Sequence, residues 1–114
     1  MRKAIAFLTL IAFIATTNAQ NTVTLYLYDS YGDSWNGGVI NVAGTDYTLD
    51  GVNDDGAEAS FVLDLADGSY DWYYTEGSWA YENSWSAYDD AVNLLFGGSG
   101  ENGDQGGVFT VPFM

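Results

Sequence analysis

Val23-Thr24-Leu25-Tyr26-Leu27-Tyr28 alternates aliphatic residues with Thr and Tyr without a break. A period of two puts Val23, Leu25 and Leu27 on one face and Thr24, Tyr26 and Tyr28 on the other, as in a half-buried β-strand. Similar runs follow at Val39–Val42, Thr45–Leu49, Ala59–Leu65, Ser69–Thr75, Ser84–Tyr88, Ala91–Phe96 and Gly107–Phe113. In the fourth strand Ala59, Phe61, Leu63 and Leu65 share one face, with Ser60, Val62 and Asp64 opposite. Gly44, Ala66-Asp67-Gly68-Ser69, Asp89-Asp90 and a Gly-rich stretch at 97–107 punctuate the runs, and no segment sustains a helical period. Short strands separated by turn residues predict an all-β fold, an antiparallel β-sandwich of about eight strands with jelly-roll character.

The inventory around these strands is lopsided. The chain has 114 residues, with 16 Asp plus Glu, two Lys plus Arg, and no His or Cys. Without His or Cys there is no Ser-His-Asp or Cys-His triad, no zinc site of the usual N/S type and no disulfide. Both basic residues, Arg2 and Lys3, precede the acidic ones, which all follow residue 28. A body without cations has no phosphate clamp, and it excludes nucleic acid as a partner. Met1–Ala19 has the form of a secretory signal: Arg2-Lys3, an apolar run from Ala4 to Ala15, and small residues at Thr17-Asn18-Ala19. That run is too short for a comfortable membrane span, so the mature chain, residues 20–114, is expected to be secreted and to form a single domain. Salt, a bound cation or assembly must offset the mutual repulsion of its carboxylates. No N-x-Ser/Thr sequon is present.

If successive strands alternate in direction, connections 1–2, 3–4, 5–6 and 7–8 gather at one end. They hold Asp29, Asp33, Asp50, Asp54, Asp55, Glu58, Glu76, Glu82, Glu101 and Asp104, ten of the 16 acids. Oxygen-only donors on loops suit a hard cation, above all calcium, which takes about 6–8 oxygens. The sharpest segment is Asp29-Ser30-Tyr31-Gly32-Asp33-Ser34-Trp35-Asn36-Gly37-Gly38. It sets Asp29, Asp33 and Asn36 at i, i+4 and i+7. It is not an EF-hand, because Tyr31 holds the third position and no bidentate Glu closes the loop. Other loops must therefore contribute, with Glu82 or Glu76 as the expected donors. The alternative is that Asp29 and Asp33 serve only Asx turns.

The same residues carry a resemblance. Asp29–Gly38 is similar to the DSYGDGWNGG signature of secreted, CUB-like β-sandwich modules, with Ser34 where that family usually has Gly. Gly77-Ser78-Trp79-Ala80-Tyr81-Glu82-Asn83-Ser84-Trp85 resembles the family's second element, which opens the strand before a Gly-Gly pair, here Gly97-Gly98. The resemblance spans nearly all of the mature chain. It implies an extracellular, non-catalytic module and, by analogy with calcium ligands on CUB end loops, supports Asp29, Asp33 and Glu82 as donors. Such modules usually sit within larger proteins.

Three functions are then in view. The first is a structural subunit that self-associates into an extracellular fibre. The Gly-rich stretch at 97–107 would act as a hinge, letting the terminal strand 108–114 (Val108, Phe109, Val111 and Phe113 its apolar residues) exchange into a neighbour. The alternative is that this strand closes its own sheet. The second is calcium-dependent binding of glycans or surfaces through Tyr31, Trp35, Trp79 and Tyr81, while Trp72 and Trp85 pack in the core with partnered N–H groups. The third, glycoside hydrolysis by paired carboxylates, is disfavoured, because no acid stands out and so small a sandwich leaves little room for a cleft.

Overall fold

The structure, a computed structural model, describes residues 20–113. The proposed signal segment and Met114 lie outside the described residues. Eight strands form: β1 (Gln20–Asp29), β2 (Val39–Val42), β3 (Thr45–Tyr47), β4 (Glu58–Ala66), β5 (Gly68–Thr75), β6 (Asn83–Asp89), β7 (Leu94–Ser99) and β8 (Gln105–Val111). Two 3₁₀ turns, Ala80–Glu82 and Gly100–Asn102, precede β6 and β8. One sheet has the order β4-β1-β6-β7 and the other β3-β2-β5-β8, and every pairing is antiparallel. The fold is the expected antiparallel sandwich. Among the described residues no helix is long and apolar enough to cross a membrane.

β1 is central to its sheet, paired with β4 from Gln20↔Ala66 to Tyr28↔Glu58 and with β6 from Val23↔Asp89 to Asp29↔Asn83. Its alternation sends Val23, Leu25 and Leu27 fully inward. They meet Ile40, Val42, Trp72 and Tyr74 of the opposite sheet in one core. An aromatic spine fills the gap between sheets. Trp72 stacks on Phe96 at 5.0 Å, Phe96 meets Phe109 at 5.0 Å, and Tyr74 stacks on Trp85 at 4.4 Å. Such ring pairs contribute about 0.5–1.5 kcal/mol each beyond the area they bury. One expectation fails here: Trp85 is buried, but its indole N–H has no hydrogen-bond partner.

The pairings make consecutive strands alternate in direction, so the connections at 30–38, 48–57, 76–82 and 100–104 share one end. The opposite end has short turns at 43–44, 67 and 90–93. The acidic, loop-rich pole inferred from the sequence is therefore present.

Three expectations need correction. β7 begins at Leu94 rather than Ala91, because the Asp89 carboxylate accepts the N–H groups of Ala91 and Asn93 and holds 90–93 in a turn. The Gly-rich stretch is not a free hinge. Gly97–Ser99 belongs to β7 and Gln105–Gly107 to β8, and the Gln105 amide ties the turn by donating to the carbonyls of Ser99 and Gly103. β8 closes its own sheet against β5, with Phe109 and Val111 buried in the core and Val108 and Phe113 exposed. Trp35, expected at the surface, is the third case. Its indole is fully buried, donates to the Tyr28 carbonyl at 2.8 Å and packs edge-on against Tyr74 and Trp85. It plugs the sandwich beneath the acidic loops.

Replacing that plug, Trp35→Ala, should cost about 3–5 kcal/mol, the usual range for emptying a buried indole site. Urea unfolding at neutral pH measures it, and a loss below about 1 kcal/mol would mean the indole is not part of the core.

Candidate metal centre

The pole is built from the loop after β1 and the 3₁₀ turn before β6. The register does most of the positioning, since Asp29 ends β1 directly opposite Asn83, which opens β6. Glu82, one residue earlier, is thereby delivered beside Asp29. Further main-chain bonds lock the two segments together. The Ser30 N–H donates to the Glu82 carbonyl at 2.9 Å, and the Ser78 N–H donates to the Asn36 carbonyl at 3.1 Å. Gly77 makes the second approach possible, because a Cβ there would collide with the backbone of Asn36, Gly37 and Gly38.

Asp29 is buried, whereas Asp33 is exposed and Glu82 lies between. One carboxylate oxygen from each lies within 4.8 Å of the others, a group that can bind a metal ion. The Asp29 carboxylate has two faces. Oδ2 accepts the N–H groups of Gly32 at 2.8 Å and Asp33 at 2.9 Å, the Asx turn anticipated as the alternative reading. Gly32 sits in this turn at φ 84°, where glycine carries no Cβ penalty. Oδ1 accepts the Asn83 amide at 3.2 Å, and the Asn83 oxygen accepts the Tyr74 hydroxyl at 2.7 Å. The turn and the cluster are one construction. A buried relay thus runs from the cluster across the core to the second sheet.

The electrostatics are those of crowded anions. Burial pushes the Asp29 carboxyl above its ordinary value, the neighbouring Asp33 adds to the rise, and the two donated N–H groups pull it back. Burial likewise raises Glu82, and the charges of Asp29 and Asp33 raise it further. Its Oε1 is buried with no hydrogen-bond partner, an unmet acceptor of a kind proteins rarely leave uncompensated. Tyr74 is pushed up to about 12 by burial and then by the charges of Glu76 and Asp104. Elsewhere on the pole the acids are spent locally. Asp50 is held down to about 2 by the N–H groups of Asn53 and Val52, as caps of their own turn are.

Of the residues predicted as ligands, the structure joins Asp29, Asp33 and Glu82 and leaves two out. Asn36 donates its amide to the Ser34 carbonyl at 3.3 Å, because its left-handed backbone (φ 49°) turns it onto its own loop. Glu76 stands beside Gly103, and its N–H donates to Asp104 at 2.8 Å. Tyr31, Trp79 and Tyr81 are exposed as expected and, with Asp33 and Glu82, line a cleft of about 350 Å³. Trp79 reaches outward from a left-handed residue (φ 59°), and its ring meets Tyr81 edge-on at 6.4 Å. Asn83, although inside the Gly77–Trp85 motif, and Tyr74 were not singled out from the sequence, because their bond joins opposite sheets. Comparisons with protein-family models, curated proteins and solved structures found no match to this chain.

The raised carboxyls carry a testable sign. In the metal-free protein the folded state holds these protons more tightly than the unfolded chain does. The cluster therefore destabilises the fold above the unfolded carboxyl pKa, and protonation relieves it as pH falls. Glu82→Gln in EDTA should be more stable than the parent at neutral pH, with the difference shrinking on acidification through the carboxyl range. Chemical denaturation across that range checks it, and a constant or opposite difference contradicts the crowding.

Proposed function

We propose that the chain is a secreted, non-catalytic binding module. In it a calcium ion held by Asp29, Asp33 and Glu82 orders the acidic pole and presents Tyr31, Trp79 and Tyr81 to neutral carbohydrate. The observation carrying this reading is that the carboxylates Asp33 and Glu82 and the three exposed rings line a single cleft. Calcium binds oxygen at about 2.3–2.6 Å, so oxygens on opposite sides of the ion stand about 4.6–5.2 Å apart. One oxygen of each carboxylate lies within 4.8 Å of the others, close enough to share such an ion. Three carboxylates leave positions for water and for ligand hydroxyls. The acidic body, with no Lys or Arg among residues 20–114, favours neutral over anionic glycans. The resemblance of Asp29–Gly38 and Gly77–Trp85 to CUB-like extracellular modules supports the same reading.

Assembly into an extracellular filament is the second reading, and the position of β8 favours it. That strand is an edge of its sheet, with Val108 65% exposed on it and Phe113, just beyond its end, 49% exposed. A neighbouring copy can pair along it without any strand leaving its own sheet.

Calcium at 100 times its dissociation constant should stabilise the mature protein by about 2.7 kcal/mol, raising the melting midpoint by roughly 10–20 °C. Glu82→Gln should remove most of that rise. Glycan-array binding should require calcium and be lost in Trp79→Ala, which keeps the calcium-induced rise. Binding that persists in EDTA would sink the calcium-dependent reading. Negative-stain microscopy of the same samples tests the second reading, which ordered filaments support and a monomer at every concentration removes.

A further inference from the structure

The flank of the sandwich formed by β3 and β4 has a feature that the pole does not explain. β4 is nine residues long and pairs in its sheet with β1 alone; the Asp55 carboxylate accepts the Glu58 N–H at one end and the Ala66 carbonyl accepts the Tyr70 hydroxyl at the other, but no strand pairs with the outer edge between them. Natural edge strands are usually blunted by Pro, Lys, a bulge or very short length. β4 has no Pro, Lys or bulge, its only charged side chains are the acids Glu58 and Asp64, and its register with β1 runs unbroken from end to end. Beside it, between β4 and β3, lies a groove of about 500 Å³. Its floor includes Phe61 and Tyr47, whose rings pack 4.9 Å apart and stay only partly buried, because no further strand covers this flank. Asp46, Asp50, Asp54 and Glu58 also line the groove. Among the described residues no Lys or Arg is present to offset these acids.

We propose that this flank docks a cationic, extended polypeptide segment of another extracellular protein. The segment adds to β4 as a further strand, its apolar side chains resting on Phe61 and Tyr47 and its Lys or Arg side chains facing the acidic rim. Main-chain pairing supplies the affinity of such strand addition, and alternate side chains supply the selectivity. Charge decides the class of partner. Residues 20–114 of a second copy bring no Lys or Arg to four carboxylates, whereas a basic segment neutralises them and is steered towards them. This surface is separate from the three-carboxylate cluster and stands whether or not that cluster holds calcium.

The probe is an eight-residue peptide of alternating Lys and Val, titrated into the calcium-saturated mature protein so that Lys does not compete at the pole. Backbone NMR should show peptide-dependent exchange protection along β4 and not along β8. Affinity should fall with salt and weaken by about tenfold in the double variant Asp46→Lys, Glu58→Lys, both exposed positions away from the core. A Glu-Val peptide and a Lys-Val peptide N-methylated on alternate amides should not bind. Absence of binding by the Lys-Val peptide overturns the proposal. So does equal binding of the N-methylated peptide or by the double variant, which would reduce the effect to diffuse attraction by a polyanion. Protection of β4 that depends on protein concentration alone would assign the edge to a second copy, and also overturns it.

Discussion

A carboxylate buried at the end of β1 governs the upper half of this molecule. Asp29 is the buried charged residue among the described core positions, and nothing in the chain beyond residue 3 can neutralise it. Hydrogen bonds alone hold it: two main-chain N–H groups from its own loop and the amide of Asn83. The first two shape the loop that carries Tyr31 and Asp33. The third couples Asp29 to Tyr74 and so to the opposite sheet. A charge that is costly to bury is thereby made the point where both sheets and both loops are fastened together. Its remaining electrostatic strain comes from Asp33 and Glu82, and a cation relieves both at once.

Trp35 shows how the same loop serves the interior. Lying between Asp33 and Asn36, it drives inward, while Tyr31 in the preceding turn faces out. Its main-chain N–H donates to the Leu49 carbonyl at 2.9 Å, and its indole N–H donates to the strand it has just left. The polar atoms are satisfied and the ring closes the end of the core. The loop is therefore rigid because it is partly core, which lets an exposed aromatic cleft keep its shape without a disulfide.

The strands were legible because their period of two is undisturbed; β1 and β4 read off directly from Val23 and Ala59 onward. Strand direction followed from alternation, and with it the acidic pole. The errors share a cause. Trp35 and the Gly-rich stretch were judged by loop membership, a local property, whereas a cross-core aromatic contact decides the first and the Gln105 side chain decides the second. Asn36 and Glu76 had plausible spacing, but spacing along a loop does not say which way its backbone curls. Glu82 was found because the loop before β6 had to lie at the same end as Asp29. Asn83 was missed because an amide opening a strand looks like any other polar residue until its partner across the sandwich is known.

The charge inventory connects the pole to the flank. Among the described residues there is no Lys, Arg or His, so no side-chain ion pair forms within them to offset their carboxylates. Most of these acids do not need one. Asp50 and Asp89 are spent as turn acceptors, where main-chain and amide N–H donors hold them ionised. Those bonds use the carboxylates to build loops and still leave their negative field in place. Two places remain where that field meets an unmet structural demand. One is the buried Glu82 oxygen without a donor, and the other is the unpaired edge of β4. A metal ion would answer the first, because a compact charge fits among three carboxylates. A basic strand answers the second because the edge needs hydrogen bonds along a line as well as charge. The difference in shape between the two demands is why we propose a different partner for each of these two acidic surfaces.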